Sequence, residues 1–324
     1  MPSFLHNTLQ PAIYHGFGKQ PPFFEGWYYK AVSAAEDHRL AVIPGVIFGE
    51  KAHAFIQILD GVIGKSTYHT FPLESFWAAR DEFAIRIGRC SFTVEKISLD
   101  IADEIAQVSG ELRFSGGTPW PVRLLSPGIM GWYAWVPRME CYHGVLSFDH
   151  LIQGSLAIDG HEIDFSGGHG YIEKDWGQSF PEAWIWFQSN HFSQPGVCLT
   201  ASVAMIPWLH NSFRGFIVGL WTGRELYRFA TYTGARIDDL HLDDRRVVWV
   251  IRDRAHVLEL EACQAPGAVL RGPTKIEMGK RVDETLGATV SVRLSHSAGG
   301  LIFEGEGKYA GLEINGDLER LLAK

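Results

Sequence analysis

The sequence predicts an all-β chain built twice over. Short runs rich in β-branched and aromatic residues alternate with frequent turn signals, among them 35 glycines and 15 prolines. That spacing suits barrels or sandwiches. Helical periodicity is nearly absent, and residues 72–80 are the one short helix expected. The motif Phe-x-Glu-small-Trp-x-aromatic occurs as FFEGWYY at 23–29 and as FPEAWIW at 180–186, a constant offset of 157 residues. Phe23 matches Phe180, Glu25 matches Glu182, Gly26 matches Ala183, Trp27 matches Trp184 and Tyr29 matches Trp186.

The first half gives strand candidates at 25–32, 39–48, 53–60, 90–94 and 104–114. The second half gives 183–192, 197–206, 212–221, 247–251, 256–262, 289–294 and 301–308. Each motif copy is followed by an apolar strand and then by another beginning near His53 or His210. The repeat therefore sets two domains, 1–160 and 161–324. Asp60-Gly61, Asp159-Gly160 and Asn315-Gly316 are dipeptides that favour tight hairpins. Residues 115–137 are too aromatic for a linker and read as an excursion of the first domain.

Composition narrows the function. Hydrophobic residues make up 46% of the 324, enough for a sizeable core. The net charge of -8 argues against a nucleic-acid partner. Arg245, Arg246, Arg252 and Arg254 are interrupted by acids and read as a solvated strand face. Cys90, Cys141, Cys198 and Cys263 are widely spaced with no Cys-x-x-Cys pair, and no secretory pattern opens the sequence. They read as reduced thiols of a cytoplasmic protein. No apolar run reaches the roughly 18 residues of a membrane helix, so membrane contact would be peripheral. The 14 histidines form no close pair with a third ligand nearby, and no metal is expected. GGHG at 167–170 lacks the helix a phosphate loop needs.

Side chains alternate across a strand. Trp184, Trp186, Gln188 and Asn190 share one face; so do His53, Phe55 and Gln57, and so do Glu25, Trp27 and Tyr29. Such faces suit either a ligand cavity or a core strand with a polar edge. Residues 167–184 gather His169, Tyr171, Glu173, Lys174, Asp175 and Trp176. Tyr171, Glu173 and Asp175 face one way; Lys174 and Trp176 face the other. A carboxyl beside tryptophan in a dry site has a raised pKa and can serve as a general acid; the alternative is a surface turn with ordinary ion pairs. In 139–150, Glu140 and Tyr142 share one face and Cys141 and His143 the other. Cys141 and His143 are not expected to act as nucleophile and base, since no third group orients them.

PPFFEGWYYK at 21–30, HAFIQILDG at 53–61, MECYHGVLSFDH at 139–150, DFSGGHGYIEKDWGQSFPEAWIWFQSNHF at 164–192 and AGLEINGD at 310–317 together resemble the tocopherol cyclase family. The resemblance covers nearly the whole chain and departs from plant members around 139–150. It implies two tandem lipocalin-like antiparallel β-barrels, related to carotenoid hydratase and AttH-like proteins. It also implies protonation of a prenyl double bond followed by ring closure, with no cofactor. Glu173, then Asp175, is the expected acid. Trp27, Tyr29, Tyr171, Trp176, Trp184 and Trp186 are expected to bind a hydrophobic small-molecule substrate. His53, Gln57, Gln188 and Asn190 are expected to orient its polar head, and Glu25 and Glu182 to be structural. A non-catalytic carrier of a hydrophobic metabolite and a carbohydrate-active protein are the competing classes.

Overall fold

The computed structural model describes residues 4–208 and 211–323. A short helix, α1 (Phe4–Thr8), precedes β1 (Phe23–Val32), β2 (Arg39–Phe48), β3 (His53–Asp60), β4 (Lys65–Phe71), β5 (Phe76–Ala78), β6 (Ala84–Ile87), β7 (Cys90–Thr93), β8 (Lys96–Ala102) and β9 (Gln107–Ser115). A small ribbon, β10 (Val122–Arg123) and β11 (Ser126–Pro127), leads to β12 (Cys141–Ile158), β13 (His161–Asp164) and β14 (His169–Gly177). Then come β15 (Ala183–Ser189), β16 (His191–Phe192), β17 (Val197–Trp208), β18 (Asn211–Thr222), β19 (Leu226–Ala230), β20 (Arg236–Asp243), β21 (Arg246–Arg252) and β22 (His256–Cys263). The chain ends with β23 (Ala268–Gly272), β24 (Lys280–His296), β25 (Leu301–Gly316) and α2 (Leu318–Leu322).

Two large antiparallel sheets result. The first runs β4-β3-β2-β1-β14-β12-β9-β8-β7-β6-β5, with β13 beside β12. The second runs β19-β18-β17-β15-β25-β24-β22-β21-β20, with β16 beside β25 and β23 beside β24. The orders correspond. In each, the motif strand has the next three main strands on one side and the unit's last strand on the other. Arg39 and Val197, which open β2 and β17, are 158 residues apart, as are His53 and Asn211, which open β3 and β18. His210 itself lies outside the described residues.

Each sheet curls around its own core. Tyr29 on β1 donates its hydroxyl to Thr93 O on β7 at 2.9 Å. Those strands are five places apart in the sheet order, roughly 24 Å if the sheet were flat. In the second sheet the rings of Phe187 on β15 and Trp249 on β21 lie 6.2 Å apart across four places. The first core holds Trp27, Tyr29, Phe92 and Ile172 among others; the second holds Ile185, Phe187 and Trp249.

Several local expectations differ from the fold. Residues 72–80 form a 3-10 turn at Leu73–Ser75 and then β5, because Phe76 and Ala78 pack on the first core. Asp159 and Gly160, with φ of 49° and 83°, make the tight β12–β13 hairpin. Asn315 and Gly316 form no hairpin; they pair with Trp184 and Ala183 at the end of β25. Residue 160 falls on the β12–β13 hairpin, inside the first unit. That unit runs to Phe180 and includes Val269–Arg281, while the second holds Pro181–Ala268 and the chain from Val282. The reason is β14, which hydrogen-bonds β1 on one side and β12 on the other. All four cysteines are free thiols; Cys90 and Cys198 are buried, Cys141 is partly buried and Cys263 is exposed.

A buried ion pair anchors the centre of the first sheet. Lys174 Nζ on β14 lies 2.5 Å from Glu25 Oε1 on β1, and both side chains are wholly inaccessible to solvent. Lys174 Nζ also donates to Ile13 O at 2.7 Å, lies 3.1 Å from His15 Nδ1 and stands 5.1 Å above the Trp27 ring. The His15 backbone N–H donates to Glu25 Oε2 at 2.9 Å. Burial opposes ionisation of Glu25, yet Lys174 and His15 outweigh it and hold the carboxyl below its usual range. Burial and then Lys174 push His15 down, so its ring is neutral and can accept from Lys174. Removing one partner of such a pair leaves a buried charge, whereas removing both does not. Lys174→Met should therefore cost about 3–5 kcal/mol. The double variant Glu25→Gln/Lys174→Met should recover most of that loss, as read from chemical-denaturation midpoints.

Candidate active site

Directly paired residues of an antiparallel sheet share a face. The β14 register sets Trp27 and Gly144 opposite Lys174, and Tyr28 and Val145 opposite Glu173. Ile172 and Trp176 belong with the first core, so Lys174 points inward with them. Tyr171, Glu173 and Asp175 point to the other face, joined from β12 by His143, the direct partner of Asp175.

These four groups form one cluster, joined by two hydrogen bonds and one ion pair. The Tyr171 hydroxyl donates to Glu173 Oε2 at 2.5 Å. His143 Nε2 lies 3.4 Å from that same oxygen, and His143 Nδ1 lies 2.9 Å from Asp175 Oδ1. Tyr171 and Glu173 are buried, while His143 and Asp175 are partly so. Burial opposes the imidazolium, but Glu173 and then Asp175 outweigh it and raise His143 to about 9. At neutral pH the ring therefore carries a proton between two carboxylates. The His143, Glu173 and Asp175 donor atoms lie within 4.8 Å of one another. A divalent cation could occupy that spacing only by displacing the His143 proton.

Local backbone features shape this patch. β12 is bulged between Val145 and Ser147 and again between Ser147 and His150. The freed groups meet the preceding excursion: Trp120 N–H donates to Val145 O at 3.3 Å and Phe148 N–H to Thr118 O at 2.8 Å. Bulges often re-aim side chains beside functional sites. Gly144 faces inward, where the Trp176 ring would stand 3.3 Å from any Cβ. Cys141 Sγ lies 3.8 Å from Asp175 Oδ1. Burial, then Asp175 and Glu140, push its thiol well above the usual value, so it is no thiolate nucleophile.

The other expected site residues lie elsewhere. Trp27, Tyr29 and Trp176 face the first core, away from Glu173. Trp27 stacks on Phe83 with centroids 5.7 Å apart, and Trp176 stacks on His15 at 4.4 Å and on Tyr142 at 5.4 Å. Gln57 is not left to orient a head group. Its amide nitrogen donates to Arg271 O and its amide oxygen accepts from Arg271 N–H, both at 2.8 Å. His53 is likewise engaged, with Nδ1 on Lys51 O at 2.5 Å and Nε2 on the Tyr68 hydroxyl at 2.6 Å. In the second unit, Trp184, Trp186, Gln188 and Asn190 are all buried, and Ile185 and Phe187 from the opposite side of β15 enter the core. Trp184 Nε1 donates to Glu313 Oε2 at 2.5 Å, and Gln188 Nε2 donates to Asn190 Oδ1 at 3.4 Å. Glu25 is the ion-pair partner described above, and Glu182 pairs with Arg320 at 2.8 Å.

The sequence model of the family described as "Tocopherol cyclase-like" matches residues 119–316. A chloroplastic tocopherol cyclase of Zea mays is 28% identical over 202 residues, 57% of this chain and 41% of that protein. A probable chloroplastic tocopherol cyclase of Oryza sativa subsp. japonica is 30% identical over 151 residues, 44% of this chain and 32% of that protein. The chain thus spans well under half the length of these curated relatives. Among solved structures, a putative AttH from Nitrosomonas europaea aligns with a TM-score of 0.55 at 13% identity, covering 94% of this chain and 95% of the other. CghA with Sch210972 aligns with a TM-score of 0.58 at 10% identity, covering 92% and 89%. These two share the fold, the expected tandem lipocalin-like all-β class.

The His143 shift predicts a pH dependence. A group raised from 6.5 to about 9 on folding contributes stability that is fully present below 6.5 and is lost as pH rises through about 9. Denaturation midpoints of the wild type should fall between those pH values. In His143→Asn that fall should be markedly smaller, the remainder coming from His169, which Asp149 also raises.

Proposed function

On the premise that the chain belongs to the tocopherol cyclase-like family, we propose that it is a cofactor-independent cyclase acting on a hydrophobic prenylated quinol or similar polyene. The observation that carries this reading is the placement of the His143 ring between the Glu173 and Asp175 carboxyl groups, which favour its protonated form. Protonating an alkene needs an acid held against the double bond in a dry setting. An apolar substrate laid against Glu173 excludes water, which disfavours the carboxylate. The Nε2 proton then passes to Glu173 Oε2, 3.4 Å away. Glu173 delivers it to the less substituted alkene carbon and leaves a tertiary cation.

The quinol oxygen adds to that cation, forming the ring C–O bond. Its proton leaves to the Glu173 carboxylate and returns to His143. One C=C and one O–H are exchanged for one C–H and one C–O, so no electrons enter or leave. Asp175 fixes the imidazole through Nδ1, which leaves Nε2 on the side of Glu173. The Tyr171 hydroxyl supports the Glu173 anion between turnovers. The names of the maize and rice relatives support the ring-closing chemistry.

Glu173→Gln keeps the shape and removes the transferable proton. It should lower turnover of a prenylated quinol by about 100-fold or more, with the unchanged alkene followed by chromatography. His143→Asn should lower it as well, since Glu173 then has no internal proton supply. A Gln variant that cyclises at the wild-type rate would exclude Glu173 as the donor.

A further inference from the structure

The helix α1 and the segment 120–138 also form a surface of different character. The β10–β11 hairpin presents Leu124 and Leu125 at its tip, 61% and 84% exposed. Trp135 ties the hairpin to α1. Its Nε1 donates to Leu124 O at 2.8 Å, and its ring centroid lies 6.0 Å from that of Phe4. Phe4 and Leu5 on α1 are more than half exposed, and Trp132, three residues before Trp135, is 46% exposed. Scattered exposed leucines are ordinary on protein surfaces, but a linked set of them marks an interaction site.

Charge selects the partner. The chain carries a net charge of -8, yet no acidic residue occurs between Glu111 and Glu140, and none precedes Glu25. The cations in the first interval are Arg113, which pairs with Glu111, and the exposed Arg123 and Arg138. Arg123 immediately precedes the leucine tip. Asp81 reaches the edge of this surface, 3.9 Å from His6 Nε2. An apolar tip flanked by arginine and by tryptophan matches the cross-section of a lipid interface: acyl chains below, aromatic level between, anionic phosphates above. No helix among the described residues is long and apolar enough to cross a membrane.

We propose that this surface docks on an anionic lipid bilayer, with Leu124 and Leu125 inserted beneath the headgroups and Arg123 at the phosphates. The proposal is independent of the cyclase reading. The purified full chain would be co-sedimented with vesicles of phosphatidylcholine, alone or with roughly a third phosphatidylserine. The wild type should pellet with the anionic vesicles and much less with the neutral ones. Leu124→Ser/Leu125→Ser should lower partitioning by about tenfold or more, and Arg123→Glu should weaken binding to anionic vesicles alone. All three positions are exposed, so thermal melts of the variants should match the wild type. Wild type that stays in the supernatant with both vesicles overturns the proposal, as does a leucine double variant that pellets like wild type. Absent vesicle binding together with self-association that the leucine variant abolishes would make the surface a contact between copies of this chain, and would equally overturn it.

Discussion

Lys174 cannot leave Glu25 without stranding a charge among aromatic rings, and the centre of the first sheet is organised around that constraint. A strand has a side-chain period of two, so a slip of one residue exchanges its faces. Such a slip in β14 would turn Glu173 and Asp175 toward Trp27 and turn Lys174 outward. The ion pair therefore fixes more than a contact. It decides which carboxylates reach His143 and which side of the sheet remains apolar. The chain before β1 is drawn into the same arrangement, because Lys174 and Glu25 also hold Ile13 O and the His15 N–H.

This explains what the sequence could and could not disclose. Alternation placed Tyr171, Glu173 and Asp175 on one face and Lys174 and Trp176 on the other, because parity needs only local regularity. Parity does not say which face is inside. Glu25, Trp27 and Tyr29 do share a face, but it is the core face, filled by Phe83, Phe92 and Lys174. Gln57 looked like a cavity amide because its partner is the backbone of Arg271, which no side-chain pattern announces. His143 shares a strand face with Cys141, yet its charged partners lie 30 and 32 residues downstream, on Glu173 and Asp175. Only the β12–β14 register joins them.

The duplication is plainest in strand order and least plain in chemistry. Glu25 and Glu182 occupy equivalent positions of the two motifs. Glu25 is sealed against Lys174, whereas Glu182 is largely exposed and meets Arg320. At the following small position Gly26 pairs with Gly45 and Asp175, while Ala183 enters the second core. Surface ion pairs contribute little to stability, and buried ones are costly to break. The two copies have thus kept a backbone plan while assigning the same carboxylate opposite energetic roles. A shared fold does not fix a shared function for its halves.

The stretch Val269–Arg281 belongs to the first unit although it is encoded inside the second. Gln57 grips it through Arg271, and Met278 packs with Phe24, Ile47 and Phe55. A ribosome making this chain therefore cannot complete the first unit when residue 180 emerges. That unit must wait, with Phe55 and its neighbours uncovered, until roughly a hundred further residues have been synthesised, on the order of five to twenty seconds. The order of assembly is interleaved where the order of the genetic text is sequential.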